Sequence, residues 1–125
     1  MPERITDAEF EIMEALWECA PAAASDVMDR LARKKRWSVQ TVKTLIARLV
    51  EKGAVAHEPD GRRYLYRPLL SKDEYAREAT TSFIERLFGG RAAPLVANLA
   101  GEGKLSPDDI ADLEAVLEEI KRDSE

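Results

Sequence analysis

Apolar side chains recur three or four residues apart along most of the chain, which is the spacing of one face of an α-helix. The first helix predicted in this way begins after Thr6, which can form a capping box with Glu9, and ends at Pro21. Its buried face is predicted to consist of Phe10, Met13, Leu16, Trp17 and Ala20. A shorter second helix carries Ala24, Val27, Met28 and Leu31 at the same spacing.

A third helix and a change of period follow a run of four cations at residues 33–36. Ser38 is a favourable N-cap, and Gly53 suits the left-handed position that ends a helix. The apolar stripe between them consists of Val42, Leu45, Ile46 and Leu49. After Gly53 the period shortens to two. This predicts a β-hairpin with strands over residues 54–58 and 62–68 and a turn at residues 59–61, Pro-Asp-Gly.

Three more helices are predicted after the hairpin. The first opens with a capping box at Ser71 and is broken by Gly89 and Gly90. The second is short, covers residues 94–100 and is ended by glycines at 101 and 103. The third begins after Ser106, with Pro107 at the favoured first position.

This order of elements is typical of a winged helix-turn-helix domain. In that fold the third helix enters the major groove of DNA, and the hairpin lies against the backbone or the minor groove. We therefore expect a mainly α fold with a small β-hairpin. A winged-helix DNA-binding domain is expected over residues 1–70, and a helical dimerisation region over residues 71–125.

The distribution of charge follows the same division. The 125-residue chain has a formal net charge of -5, which by itself argues against a nucleic-acid partner. Residues 30–67, however, hold 11 Lys and Arg residues against three Asp and Glu residues, a net charge of +8. Residues 71–125 carry a net charge of -6. The basic segment coincides with the predicted third helix and hairpin, so double-stranded DNA is the expected partner.

The outward side of the third helix and the tip of the hairpin hold the candidate DNA contacts. An amide side chain can pair with adenine, and a threonine methyl group can touch thymine. On this basis the candidates for base edges are Gln40, Thr41 and Thr44. Cations and free backbone amides suit phosphates instead. The candidates for the DNA backbone are Ser38, Lys43, Arg48, Arg62, Arg63 and Tyr64.

The C-terminal helices carry more large apolar residues than they can hide against a small head. A shared core in a two-fold dimer would bury them. The residues predicted to form this core are Phe83, Leu87, Leu95, Val96, Leu99, Leu113, Val116, Leu117 and Ile120. The alternative is that these helices pack back onto the winged-helix head.

Other classes of protein lack their sequence signals here. No apolar run approaches the ~18 residues of a membrane span and no signal peptide is recognisable, so we expect a cytoplasmic protein without a membrane partner. Cys19 and His57, the single cysteine and histidine, are too few soft ligands for a structural zinc site. Cys19 is expected to be a small core residue. We expect no metal or cofactor, and the absence of catalytic motifs gives no support for an enzyme.

Three segments, Thr6–Met13, Trp37–Leu49 and Lys52–Ala54, resemble the penicillinase repressor family of BlaI, MecI and CopY-type proteins. The most specific is the third-helix pattern Trp-Ser-x-x-Thr-Val-x-Thr-Leu-Ile-x-Arg-Leu, and the resemblance covers almost the whole chain. It implies a homodimeric transcriptional repressor that binds a palindromic operator through winged-helix heads and dimerises through C-terminal helices. It also implies that Thr41, Lys43, Thr44 and Arg48 lie on the DNA surface.

Two departures from the family pattern change what the resemblance implies. The penicillinase repressors carry lysine where this chain has Gln40, so a different operator sequence is expected. The copper-responsive members end in a cysteine-rich metal motif, whereas residues 121–125 here are Lys-Arg-Asp-Ser-Glu. Copper sensing of that type is therefore not expected.

The resemblance also raises the question of how repression is relieved. The β-lactam-responsive members are cleaved between Asn and Phe in the dimerisation region, and the matching pair here is Asn98 and Leu99. Cleavage by a signalling protease at this bond is one hypothesis, and an ordinary polar position in a helix is the other. The alternative to DNA binding is a winged-helix interaction module whose basic face docks an acidic partner.

Overall fold

The computed structural model describes residues 4–124, which form six α-helices and one antiparallel pair of strands. In chain order they are α1 (Asp7–Cys19), α2 (Ala24–Leu31), α3 (Val39–Glu51), β1 (Val55–Asp60), β2 (Arg63–Pro68), α4 (Lys72–Phe88), α5 (Ala92–Gly101) and α6 (Pro107–Asp123). The expected order of elements is confirmed. The chain forms two compact units, of which the first extends to Arg77 and the second begins at Glu78.

The first unit has a core formed by α1, α2 and α3. Among the residues at helical spacing, the structure buries Met13, Leu16, Val27, Leu31, Val42, Leu45, Ile46 and Leu49. It also buries Ile12 and Ala15, which the predicted face of α1 omits. The prediction that Ala20 lies on that face is wrong, because α1 ends at Cys19 and Ala20 is its exposed, extended C-cap residue.

Side chains that cap helices begin α1 and α3 where the sequence predicts. The Glu9 N–H donates to Thr6 Oγ1 at 3.2 Å, and the Thr6 N–H donates to Glu9 Oε1 at 2.8 Å. At the start of α3 the Thr41 N–H donates to Ser38 Oγ at 3.1 Å. These bonds satisfy amides that have no partner within the helix, so they help to define where each helix begins.

An aromatic cluster holds the first turn of α4 against α1. The Trp17 Nε1–H donates to the Leu70 carbonyl at 3.0 Å, and the rings of Phe10, Trp17 and Tyr75 lie 5.5 to 5.8 Å apart. Aromatic pairs at such distances add to the stabilisation that burial alone provides. The start of α4 is therefore part of the first unit, in keeping with its boundary after Arg77.

The hairpin has a shorter loop than the sequence predicts. Asp60 pairs directly with Arg63, so Gly61 and Arg62 form a two-residue loop. The predicted turn at residues 59–61 is therefore wrong, since Pro59 and Asp60 belong to β1. Gly61 has φ +64°, the conformation that a glycine at the first loop position supplies in a tight hairpin. A bridge between Ala22 and Tyr66 attaches β2 to the core.

The second unit contains the rest of α4 with α5 and α6. Gly89 and Gly90, both with positive φ, end α4 as predicted. The helix α5 is longer than the predicted 94–100, since it begins at Ala92 and includes Gly101. Only Gly103, with φ +69°, is left-handed at its end. Ser106 caps α6 by accepting from the Asp109 N–H at 3.0 Å, and Pro107 occupies the first turn.

Candidate nucleic-acid interface

The helix α3 separates an apolar side from a polar side. Its apolar stripe is buried to at least 94% at every position, from Leu49 at 0% exposed to Leu45 at 6%. The opposite side presents the exposed residues Gln40, Thr41, Lys43, Ala47 and Arg48, with Thr44 half-buried beside them. The candidate base-reading residues therefore lie together on one surface, as the helical period predicts.

The N-terminal turn of α3 is held by Ser38. Besides capping Thr41, the Ser38 hydroxyl lies 3.0 Å from the Thr41 hydroxyl, close enough for a hydrogen bond. Both hydroxyl groups therefore already have a partner within the protein. The sequence does not reveal this, because two exposed hydroxyl side chains three residues apart look equally available.

Basic side chains flank the start of α3 and lie on its outward side. Arg33, Lys34 and Arg36 are exposed in the turn that follows α2, and the Lys35 ammonium lies 5.7 Å from the centre of the Trp37 ring. Lys43 and Arg48 are exposed on α3 itself. A duplex that reached α3 would meet positive charge beside the helix as well as on it.

The three candidate residues of the hairpin differ in their surroundings. Arg62 is exposed within the two-residue loop, whereas the Arg63 Nε lies 3.2 Å from Asp60 Oδ2. Tyr64 is half exposed, and the centres of its ring and the His57 ring lie 5.0 Å apart with the two ring planes close to perpendicular. The Arg63–Asp60 ion pair follows from the strand register, which pairs these two residues across the short loop; the turn predicted at residues 59–61 does not pair them.

Two residues at the ends of α3 are not among the predicted DNA contacts but have distinctive surroundings. Val39, in the first turn of α3, is 54% exposed although it is a large apolar side chain. Lys52, at the other end of α3, places its ammonium 2.6 Å from Glu9 Oε1 and 2.8 Å from the Arg4 carbonyl. The helical period does not reveal the exposure of Val39, because Val39 lies three residues before Val42 and seven before Ile46 and so continues the apolar stripe. The contacts of Lys52 span more than 40 residues and have no local signal.

Most of the residues predicted for dimerisation are exposed, and none of them is fully buried. The exposed members are Phe83, Leu87, Val96, Val116, Leu117 and Ile120. The half-buried members are Leu95, Leu99 and Leu113. None of the described residues of α4, α5 and α6 is buried. Asn98 is exposed and Leu99 half-buried within α5, and their carbonyls accept from the N–H groups of Glu102 and Lys104.

The described part of the chain contains no group of three or more His, Cys, Asp and Glu side chains that could hold a metal ion. No helix among residues 4–124 is long and apolar enough to cross a membrane. Cys19 is half-buried against the core of the first unit, and burial raises the pKa of its thiol.

Comparison with known proteins places the chain among repressors. The family model described as penicillinase repressor matches residues 5–119. The penicillinase repressor of Bacillus licheniformis is 32% identical over 118 residues, which cover 94% of this chain and 92% of that protein. The methicillin resistance regulatory protein MecI of Staphylococcus aureus strain N315 is 30% identical over 113 residues, or 90% of this chain and 92% of MecI.

A solved structure matches the first part of the chain. It is the monomeric form of Bacillus licheniformis BlaI in complex with the blaP half-operator. The match has a TM-score of 0.52 and 32% sequence identity, and it covers 60% of this chain and 92% of the BlaI chain. The first unit therefore has the winged helix-turn-helix fold of a DNA-binding domain.

Proposed function

Because this chain belongs to the penicillinase repressor family and is a DNA-binding transcriptional repressor, we propose that it acts as a homodimer on an operator with two-fold symmetry. The observation that carries the dimer is the set of large apolar side chains left exposed in the second unit, and the surface that would meet the operator is the exposed polar side of α3. A helix of this kind fits the major groove, and a two-fold dimer would place two such helices on successive turns of DNA.

The N-terminal half of α3 supplies the choice of sequence. The Gln40 side chain is exposed there and can donate and accept in two hydrogen bonds to adenine. The Thr41 hydroxyl already bonds with Ser38, so its methyl group is the better contact with a base. Thr44 lies about one turn further along the helix and is half-buried, so it reaches less far than Gln40.

Contacts with the DNA backbone supply most of the affinity. Lys43 and Arg48 on α3 and Arg62 in the hairpin loop are exposed cations suited to phosphates. Arg63 contributes less than Arg62, because Asp60 partly neutralises its charge. Tyr64 and Ser38 add hydroxyl groups that can bond phosphate oxygens.

Dimerisation through the second unit would bury its apolar residues. Leu87, Leu117 and Ile120 are each more than half exposed, although leucine and isoleucine are usually buried. A second copy of the same helices offers the same apolar side chains and allows a closed two-fold interface. The net charge of -6 over residues 71–125 keeps this region away from phosphate, so the heads face the duplex.

Relief of repression by a signalling protease would require local opening of α5. The bond between Asn98 and Leu99 lies within a helix, and the carbonyls of both residues accept hydrogen bonds. A protease binds its substrate in an extended form, so the last turn of α5 must unwind first. The glycines at 101 and 103 make this end of the helix the easiest to open.

A docking module for an acidic protein is the alternative for a basic face of this kind. The relative solved on a half-operator favours DNA as the partner of the winged-helix unit. No feature of the described residues favours a protein partner over a duplex.

The symmetry of the operator tests the proposal. We expect selection from a random duplex library to recover two inverted half-sites whose centres lie about 10 base pairs, or a multiple of this, apart. Scrambling one half-site should weaken binding more than tenfold in a mobility-shift titration at moderate salt. Recovery of a single asymmetric site, or equal affinity for the intact and the scrambled duplex, would contradict a dimer on a two-fold operator.

A further inference from the structure

A predominantly apolar groove of about 240 Å³ lies between α2 and the N-terminal part of α3. Its apolar lining consists of Ala24, Met28, Val39 and Val42. Ser25, Asp29 and Lys43 complete the lining. The groove therefore adjoins the turn of α3 that carries Gln40 and Thr41, the residues assigned above to base edges.

Val39 makes this groove unusual. In the first unit, the other large apolar residues with comparable exposure are Tyr64 and Leu69, which lie in the hairpin and the turn after it. Single exposed apolar residues are common on protein surfaces. Val39, however, shares a groove with Met28 and Val42, so an apolar group that enters there touches several side chains at once.

We propose that this groove receives the C5-methyl group of a thymine, which makes Val39 a residue that determines the operator sequence. This inference rests on the proposed function, because it requires α3 to lie in the major groove. Thymine is the one base that presents a methyl group in that groove. With a volume of about 240 Å³, the groove can hold this methyl group together with the adjacent C6 edge of the thymine ring.

The charges around the groove favour a base edge over a phosphate. The Asp29 carboxylate is part of the lining and repels a phosphate, while four of the seven lining side chains are apolar. Lys43 is the one cation in the lining, and its ammonium can reach the phosphate next to the bound thymidine while the methyl group occupies the apolar part. The polar and apolar parts of one nucleotide thus match the two parts of the groove.

Replacement of thymine by uracil tests the proposal, because it removes only the methyl group. The probe is the duplex recovered from the random library, with each thymine of a half-site changed in turn to deoxyuridine. We expect one position per half-site at which the change weakens binding of the unchanged protein about fourfold, the factor that corresponds to burial of one methyl-sized group.

The decisive variant is Val39→Ala. Alanine is a good helix former and Val39 is half exposed, so the variant should fold, which circular dichroism can verify. It should bind the thymine duplex about fourfold less tightly and should no longer distinguish thymine from uracil at that position. Leu69→Ala removes a side chain of similar exposure outside the groove and should keep the full discrimination. Arg62→Ala should weaken both duplexes by the same factor.

Three outcomes would overturn this inference. One is a recovered operator in which no thymine shows methyl dependence. Another is undiminished thymine discrimination in Val39→Ala at unchanged affinity, which would place the methyl group elsewhere. The third is an equal loss for thymine and uracil duplexes in that variant while the unchanged protein discriminates between them, which would make the groove a structural support of α3. Failure to recover any preferred duplex would instead contradict the proposed function.

Discussion

A buried carboxylate connects the start of α1 to the end of α3. Glu9, in the first turn of α1, is 1% exposed, and its Oε1 accepts from the Lys52 ammonium at 2.6 Å and from the Thr6 N–H at 2.8 Å. Lys52 follows directly after α3. A buried charge that lost these partners would be strongly unfavourable, so the pair holds the end of α3 against the start of α1.

The pKa of Glu9 reflects two opposing effects, burial and hydrogen bonding to the charged carboxylate. Burial acts to raise the pKa of this carboxyl group, but hydrogen bonds from Lys52 and Thr6 outweigh burial, and the pKa lies below its ordinary value of 4.5. A carboxylate with a lowered pKa in the folded state stabilises the fold above its unfolded pKa. This contribution is lost as the pH falls through the lower, folded-state pKa.

Glu9→Gln should therefore destabilise the first unit by about 2 kcal/mol at pH 6, because Lys52 loses its charged partner. The difference from the unchanged protein should shrink as the pH falls below 4.5. Urea unfolding followed by tryptophan fluorescence measures this, since Trp17 and Trp37 both belong to the first unit. Glu51→Gln, at an exposed carboxylate of α3, is the control and should change little. A pH-independent difference would contradict the role of the Glu9 charge.

At the scale of elements, the end of α3 depends on one glycine. The Gly53 N–H donates to the Val50 carbonyl at 3.1 Å, and the Ala54 N–H donates to the Leu49 carbonyl at 3.0 Å. This pair of bonds is the Schellman arrangement, and it requires a left-handed residue at Gly53, whose φ is +78°. The bonds turn the chain out of α3 and into β1.

Gly53→Ala should lower the stability of the first unit by about 1 kcal/mol, because an alanine side chain disfavours positive φ. No heavy atom lies within 4 Å of the added methyl carbon, so the cost is conformational rather than steric. Gly101→Ala is the matched control, since its surroundings are equally open but it lies within α5 without positive φ. It should leave the tryptophan unfolding transition unchanged. Equal effects of the two variants would refute this account of the helix end.

At the scale of the whole molecule, the two units bury their apolar residues to different extents. The first unit has a core whose largest members are fully buried, including Ile12, Leu16 and Leu49. The described residues of α5 and α6 include none that is buried. The first unit therefore has its own core, and the proposed dimer is what would cover the apolar residues of the second unit.

Leu117→Asp should convert the proposed dimer to a monomer at low micromolar concentration, because it places a charge in the apolar surface of α6. Analytical ultracentrifugation measures the mass directly. Lys121→Ala changes the net charge by the same one unit on the same helix and should leave the dimer intact. A monomeric unchanged protein would contradict dimerisation altogether. A dimer of unaltered affinity in Leu117→Asp would exclude this face of α6.

The sequence predicts well those features that depend on neighbouring residues. Helical spacing locates the first three helices, caps and glycines locate the other three described helices, and side-chain caps give the starts of α1, α3 and α6. The hairpin loop is predicted less well. Pro59, Asp60 and Gly61 are all suited to turns, and only the cross-strand pairing of Asp60 with Arg63 selects the loop.

The sequence by itself therefore determined the order of the helices and the hairpin, and which side of α3 carries polar groups, because these follow from a local period and from local capping. Only the tertiary structure decided that Lys52 meets Glu9, that Arg63 pairs with Asp60 and that Val39 shares a groove with Met28. The first and last of these contacts join different elements, and the second depends on strand register. They are set by how the elements pack and pair, which no local pattern of residues specifies.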